Sequence, residues 1–246
     1  MTNEFYTPGQ QRAAKVGELF AAIAGRYDLI NDIQSFGLHR IWKRRLLRLA
    51  HPQPGERALD LCCGTGDLAL ALAKHGAEVT GLDFSEPMLQ VARGKAKAQG
   101  LKSKGQNPKP VEFICGDAQR IPFPENTFAI VTIGYGLRNL ADLDAGLGDM
   151  LRVTKPRGRL LVLEFGKPDN SIWRALYFSY LRIFLPVFGK LFCGNAAAYA
   201  YILESLKHYP AQAEVAARMR ALGWQNVQVI NLIGGIMSIH CAEKGQ

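Results

Sequence analysis

The 246-residue sequence predicts an α/β fold: a mostly parallel sheet flanked by helices and closed at one edge by an antiparallel hairpin. Three observations predict it. Between residues 57 and 164, short apolar runs alternate with segments of helical periodicity, the pattern of βαβ units. Two further strand-like runs, 225–231 and 236–241, are joined by Leu232-Ile233-Gly234-Gly235, a connection short enough for a hairpin. Apolar residues make up 48% of the chain and the mean hydropathy is −0.03, so a chain of this length can bury a sizeable core.

The elements follow in order. Residues 10–26 and 38–50 have helical periodicity, and His51-Pro52-Gln53-Pro54-Gly55 ends that region. Arg57–Leu61 is a short strand running into glycine-rich chain, and Leu68–Lys74 is helical. Glu78–Asp83 is a strand, and Ser85 is placed to cap the helix that carries Met88, Leu89 and Ala92. A polar stretch, 101–110, separates it from strand Val111–Cys115. Strand Phe128–Ile133, helix Asp142–Val153 and strand Arg159–Glu164 complete the alternation. Residues 171–193 form a long aromatic helix, 196–222 two more helices, and the hairpin closes the sheet. The expected divisions are an N-terminal helical segment, 1–56, a core, 57–168, a helical lid, 169–222, and the terminal hairpin, 223–246.

Several classes are excluded or disfavoured. No run of 18 uncharged apolar residues exists, so a conventional transmembrane span is not expected. The start, MTNEFYTPGQQ, has neither the basic nor the apolar region of a secretory signal. Five cysteines make no CxxC, and the five histidines make no HxxxH or HExxH; a reducing cytosol and no metal site are expected. The net charge of +9 is uneven: residues 1–57 carry +4, 58–150 carry −2, and 151–190 carry +6. Such an excess fits a face that meets nucleic acid or anionic lipid, or one that is simply solvated.

Leu59-Asp60-Leu61-Cys62-Cys63-Gly64-Thr65-Gly66-Asp67 carries most of the functional information. It follows a strand and opens a helix, where glycines admit a ligand to the backbone and free N–H groups lie at the helix start. Ala69 would complete a GxGxxA dinucleotide fingerprint, but Asp60 inside the strand would repel a pyrophosphate. A carboxylate there suits a cationic ligand, such as the amino-acid end of S-adenosylmethionine. Asp83 ends the second strand, where an acid accepts hydrogen bonds from ribose hydroxyls. Gly116-Asp117-Ala118 ends the third, placing a carboxylate and a backbone N–H for an adenine edge. The series LDLxxGTGD, GLDFS with Phe84 and Met88, and GDAQRIPFPENTFAIV resembles the class I adenosylmethionine-dependent methyltransferases over about 57–165. That resemblance implies a Rossmann-like sheet of seven strands.

Further segments resemble one branch. Tyr27-Asp28-Leu29-Ile30-Asn31 with Ser35-Phe36-Gly37-Leu38-His39-Arg40-Ile41-Trp42-Lys43, then Gly136-Leu137-Arg138-Asn139, are similar to motifs of the UbiE-type ubiquinone/menaquinone C-methyltransferases. Leu163-Glu164-Phe165-Gly166-Lys167-Pro168 and Tyr199-Ala200-Tyr201-Ile202-Leu203-Glu204-Ser205 match later signatures. Gly134 departs from the pattern, standing where a small hydroxyl residue is common.

The resemblance implies transfer of a methyl group to a ring carbon of a polyprenylated quinol. The LDLCCGTGD turn looks closer to naphthoquinone-type members, which implies conversion of demethylmenaquinol to menaquinol; the benzoquinol of the ubiquinone pathway is the alternative. Asp60, Gly64, Thr65, Gly66, Asp83, Phe84, Asp117, Ala118 and Gly134 are then candidates to hold S-adenosylmethionine. Arg138 beside the ring oxygen would favour a phenolate, lowering its pKa by about 1–3 units, with Asn139 on the same turn. Tyr27, Asp28 and His39 are candidate bases. A nucleic-acid methyltransferase is the rival suggested by +9, but the chain lacks a Pro-Cys nucleophile motif and any [DNS]PP[YFW] motif, so no nucleic acid is expected.

Residues 171–193 mix Arg174, Arg182 and Lys190 with seven aromatics, too charged to span a bilayer. Together with Lys43, Arg44, Arg45 and Arg48 they are expected to form a face for an anionic membrane surface. The expected location is cytoplasmic, with peripheral contact at the inner membrane face, as a monomer or homodimer.

Overall fold

The structure, a computed structural model, describes residues 20–100, 111–193 and 203–246. The expected helix at 10–19, the stretch 101–110 and the signature at 199–202 lie outside the described residues. Fourteen named elements carry the argument. Helices α1 (Tyr27–Gln34) and α2 (Leu38–Ala50) precede strand β1 (Arg57–Leu61). Then come α3 (Asp67–Lys74), β2 (Glu78–Asp83), α4 (Glu86–Ala98), β3 (Val111–Cys115) and β4 (Phe128–Gly134). The rest are α5 (Leu143–Val153), β5 (Thr154–Phe165), α6 (Ser171–Cys193), α7 (Gln212–Ala221), β6 (Trp224–Leu232) and β7 (Met237–Lys244).

The seven strands form one sheet in the order β3-β2-β1-β4-β5-β7-β6. Strands β1 to β5 run parallel, and β7 pairs antiparallel with both β5 and β6. The class I architecture expected from the sequence is therefore present. Its parallel part reverses direction of winding between β1 and β4. In open α/β sheets the crevice at such a switch point, beyond the carboxyl ends of the strands, is where ligands bind. The glycine-rich turn after β1 opens into it.

Both faces of the sheet are covered. On one, Leu46 and Leu47 of α2, Leu68, Ala69 and Leu72 of α3, and Leu89 and Ala92 of α4 pack onto Val79, Ile130 and Leu161. On the other, Leu147, Met150 and Val153 of α5, Val215 and Met219 of α7, and Trp224 pack onto Leu59, Val131 and Leu160. A third cluster joins Ile30 of α1, Tyr177 and Leu181 of α6, and Leu206. Helix α2 is anchored at its C-terminus by Arg159, whose guanidinium donates to the carbonyls of Ala50 (2.5 Å) and His51 (3.0 Å). A cation there satisfies carbonyls that the helix itself leaves open.

Three differences from the sequence reading are local. Residues 27–34 are helical, a two-turn amphipathic segment that the sequence reading did not assign. Strand β5 begins five residues early, at Thr154, because its first residue pairs with Phe128 before a register shift, with Arg157 in the left-handed region (φ 62°). Ser85 starts α4 without capping through its side chain; its N–H instead donates to Asp83 Oδ1 at 2.9 Å, an acceptor two residues back. No helix among the described residues is long and apolar enough to cross a membrane.

Candidate functional site

Three adjoining clefts open at the carboxyl ends of β1, β2, β3 and β4, and Cys62 borders all three. The outer cleft holds about 660 Å³ of open space and is bordered by Asp83, Phe84, Asp117, Ala118 and Asn139. The middle one, about 370 Å³, runs between Tyr27, Gly64, Met88 and Gly134. The inner one, about 330 Å³, reaches Asp60, Lys43, Thr65 and Tyr135.

The glycine turn explains the shape. Gly66 has φ +83°, and a Cβ on it would meet Ala92 Cβ and the Phe113 ring at 3.0 Å. Only glycine lets this turn lie flat on α4 and β3. Gly64, also in the left-handed region (φ +53°), meets nothing closer than 3.8 Å, so its open side faces the middle cleft.

The strand-end acids are placed differently from one another. Asp83 Oδ2 accepts from the Gly64 N–H at 2.8 Å, and Oδ1 from Ser85, so this carboxylate ties the turn to β2 while bordering the outer cleft. Burial raises its pKa against these backbone bonds. Asp60 is almost wholly buried under the turn. It accepts from Thr132 Oγ1 at 2.7 Å and from the Ala69 N–H at 3.0 Å. Burial pushes its pKa up to about 7, against the Thr132 and Ala69 bonds and nearby Lys43. Asp117 is exposed, its Oδ1 accepting from the Gln119 N–H at 2.9 Å; Ala118 is buried beside it.

Over the turn lies a polar network that spacing did not reveal. Thr65 Oγ1 donates to Asp28 Oδ1 at 2.6 Å. Lys95 of α4 pairs with Asp28, donates to Thr65 at 3.0 Å and reaches Asp67 Oδ1 at 2.8 Å. Lys43 of α2 reaches Asp67 Oδ2, also at 2.8 Å. Burial alone would raise Asp67, but the two ammoniums hold its carboxyl well below the ordinary range. The network clasps α1 and α2 over the cofactor-side turn.

The candidate reacting residues separate. Tyr27 borders the middle and inner clefts. Burial pushes its phenol up to about 12, with a hydrogen bond to Asn31 opposing, so at neutral pH it is a donor and not a base. Asp28 is committed to Thr65 and Lys95. His39 borders none of the three clefts: it is buried, its Nε2 lies 2.8 Å from Asp32 Oδ1, and burial lowers its pKa. The expected base roles of Tyr27 and His39 therefore do not fit this geometry.

Arg138 is buried, borders none of these three clefts, and is paired with Glu164. Nη1 donates to Glu164 Oε1 at 2.6 Å and to the Tyr135 carbonyl at 2.6 Å, and its guanidinium lies 4.7 Å from the Phe165 ring centroid. The pair holds the turn after β4, which presents Tyr135 and Asn139 to the clefts. Asn139 Nδ2 is 3.5 Å from the same carbonyl. Glu164 could have been found as the single acid inside an apolar strand.

Lys43 is the other relocation. Expected on a basic outer face, it is mostly buried, in the inner cleft, 5.9 Å from the Tyr135 ring centroid. Arg44, Arg45 and Arg48 are exposed as expected.

The donor set fits S-adenosylmethionine: a carboxylate and apolar walls for a nucleoside in the outer cleft, an open glycine at the middle, and an acid with a cation at the inner end. A pyrophosphate would meet Asp60 and Asp67 there instead.

The model of the ubiE/COQ5 methyltransferase family matches residues 9–244. A ubiquinone/menaquinone biosynthesis C-methyltransferase of Ectopseudomonas mendocina is 42% identical over 236 residues, covering 95% of this chain and 90% of the relative. Its counterpart in Azotobacter vinelandii is 40% identical, covering 95% and 91%. Among solved structures, a SAM-dependent methyltransferase from Aquifex aeolicus superposes with a TM-score of 0.58 at 18% identity, over 82% of this chain and 88% of that one. The [4+2]-cyclase SpnF superposes with a TM-score of 0.61 at 20% identity, over 95% and 96%. These structures show the shared fold.

Proposed function

The chain belongs to the ubiE/COQ5 methyltransferase family, and from that premise we propose that it C-methylates a polyprenylated quinol, converting demethylmenaquinol to menaquinol. The observation that carries the reading is the run of three clefts from Asp117 and Asp83 to Asp60, with Tyr27 and Tyr135 where the middle and inner clefts meet and Asn139 where the middle meets the outer. The relatives are named for both pathways, which supports a second reading beside it, methylation of the ubiquinone-pathway benzoquinol.

When bound, S-adenosylmethionine supplies an electrophilic methyl group. The chain's own residues then have distinct tasks. Asp83 has acceptor capacity left beyond its two backbone bonds for ribose hydroxyls. Asp117 and the Ala118 N–H are placed for an adenine edge, with Phe84 against its face. Asp60 faces the ligand's ammonium. Gly64 and Thr65 let the ligand approach the chain, Gly66 lets the turn lie flat on α4 and β3, and Gly134 borders the two smaller clefts. Tyr27, neutral and half-buried, can donate a hydrogen bond to a quinol oxygen and fix the ring against the methyl, where proximity supplies much of the rate. Asn139 can hold a second ring oxygen. Arg138 is a positioning residue, acting through Glu164 and the Tyr135 carbonyl.

Helices α1, α2 and α6, with the segment at 203–222, are assigned to substrate entry. Ile172, Leu176 and Ile183 of α6 are exposed at helical spacing, with Arg174 and Arg182 beside them. Phe36 is 79% exposed just beyond Gln34, whose carbonyl accepts from Tyr180 of α6 at 3.3 Å. An apolar stripe edged by cations suits the lipid surface from which a polyprenyl tail must come.

The test is direct. Purified protein with labelled S-adenosylmethionine and reduced demethylmenaquinol should give labelled menaquinol by mass spectrometry, and the oxidised quinone should give none. Methylation of the benzoquinol alone would replace the naphthoquinol assignment, and methylation of neither would overturn the proposal.

A further inference from the structure

We propose that Lys43 binds the carboxylate at the amino-acid end of the methyl donor, and that the side chain thereby makes α2 part of the cofactor site. The inference rests on the cofactor reading above and goes beyond it, since the residues that suggested that reading lie on β1 and the turn after it and at the ends of β2 and β3, not on α2.

The inner cleft has one cation on its border among the described residues, Lys43; its other charged neighbours are Asp60 and Asp67. The amino-acid end of the ligand carries an ammonium and a carboxylate. Asp60 answers the first and repels the second. A carboxylate entering a partly buried cleft needs a donor or a cation, and Lys43 meets that need.

Lys43 is also available. Its ammonium has three N–H groups, and Asp67 Oδ2 takes one at 2.8 Å. Asp67 has a second partner besides it, because Lys95 donates separately to Oδ1 at 2.8 Å. Asp67 is moreover the first residue of α3, where the helix N-terminus favours a negative charge. Lys43 can therefore turn toward a ligand carboxylate while Asp67 keeps its other partners. Its ammonium lies over the Tyr135 ring, 5.9 Å from the centroid, at the border of the cleft. Lys95 does not border the cleft, so the two lysines of one network divide into a structural and a ligand-facing member.

Calorimetric titration with S-adenosylhomocysteine and with its decarboxylated analogue tests this without turnover. Wild type should prefer the carboxylated ligand. Lys43→Gln should weaken it about ten- to hundredfold, the factor carried by one charge-assisted hydrogen bond, and leave the analogue within about twofold. Lys43→Arg should retain most of the preference. Lys95→Gln, which removes the other ammonium from Asp67, should lower thermal stability yet keep the preference. Equal loss of both ligands in Lys43→Gln, or no preference in wild type, would overturn the assignment. Wild type that binds neither ligand would refute the cofactor reading itself, and this inference with it.

Discussion

Asp60 makes cofactor binding pH-dependent in a calculable way. Its folded pKa of about 7, against an ordinary value of 3.8, is raised first by burial. That difference of about three units means the ionised form costs on the order of 4 kcal/mol in the empty fold. The sign follows from proton counting. Between pH 3.8 and 7 the folded state holds a proton at Asp60 that the unfolded state has released. Its contribution to stability is therefore full at low pH and is lost as pH rises through that window. A ligand ammonium reverses the preference by favouring the carboxylate. Binding below pH 7 must then release a proton, and affinity must rise from pH 6 to 7 by up to about tenfold before levelling off. Calorimetry with S-adenosylhomocysteine at pH 6.5, in two buffers of different ionisation enthalpy, measures that proton. Asp60→Asn should abolish the release, flatten the profile and weaken binding at pH 8. Equal proton release in wild type and Asp60→Asn, or affinity constant from pH 6 to 8, would refute the placement of the ammonium at Asp60.

Asp83→Ala should weaken S-adenosylhomocysteine by roughly 1–3 kcal/mol, because it removes the ribose acceptor and also frees the Gly64 N–H; titration calorimetry reads it. Glu164→Gln should destabilise the fold by about 3–5 kcal/mol by stranding the buried Arg138 charge, seen in denaturant unfolding. Sedimentation with vesicles should show binding that rises with anionic lipid and falls with salt, and Ile172→Ser with Ile183→Ser should reduce it; equal, weak partitioning to neutral and anionic vesicles would count against lipid contact.

The strand-end residues that border the outer cleft were legible in the sequence, and the reason is topological. In a parallel sheet every strand ends on the same side, so acids written at the ends of consecutive strands converge without any knowledge of packing. Asp83 and Asp117 needed only the strand boundaries, and the glycine turn needed only its place between a strand and a helix. Positive φ at Gly64 and Gly66 is likewise a local demand.

The reacting half was not legible, because it is assembled from contacts remote in sequence. Arg138 reads as an unsatisfied cation until Glu164, on the neighbouring strand, is seen to take it. Lys43 reads as part of a basic run with Arg44 and Arg45, and only the crossing of α2 over α3 brings it to Asp67. Charge type at a position does not say which face of a helix carries it, nor which partner the fold supplies. His39 fails for the same reason: Asp32, one helical turn and a bend earlier, folds back onto it. The pairs that displaced these assignments share a consequence. Each satisfies its own charge, so among the described residues the inner cleft is left with Asp60, Lys43 and the neutral phenol of Tyr27 to respond to a ligand, beside the outer cleft's Asp83 and Asp117. On the proposed reading, a site built this way binds a zwitterion by matching opposite charges and holds the quinol with neutral donors.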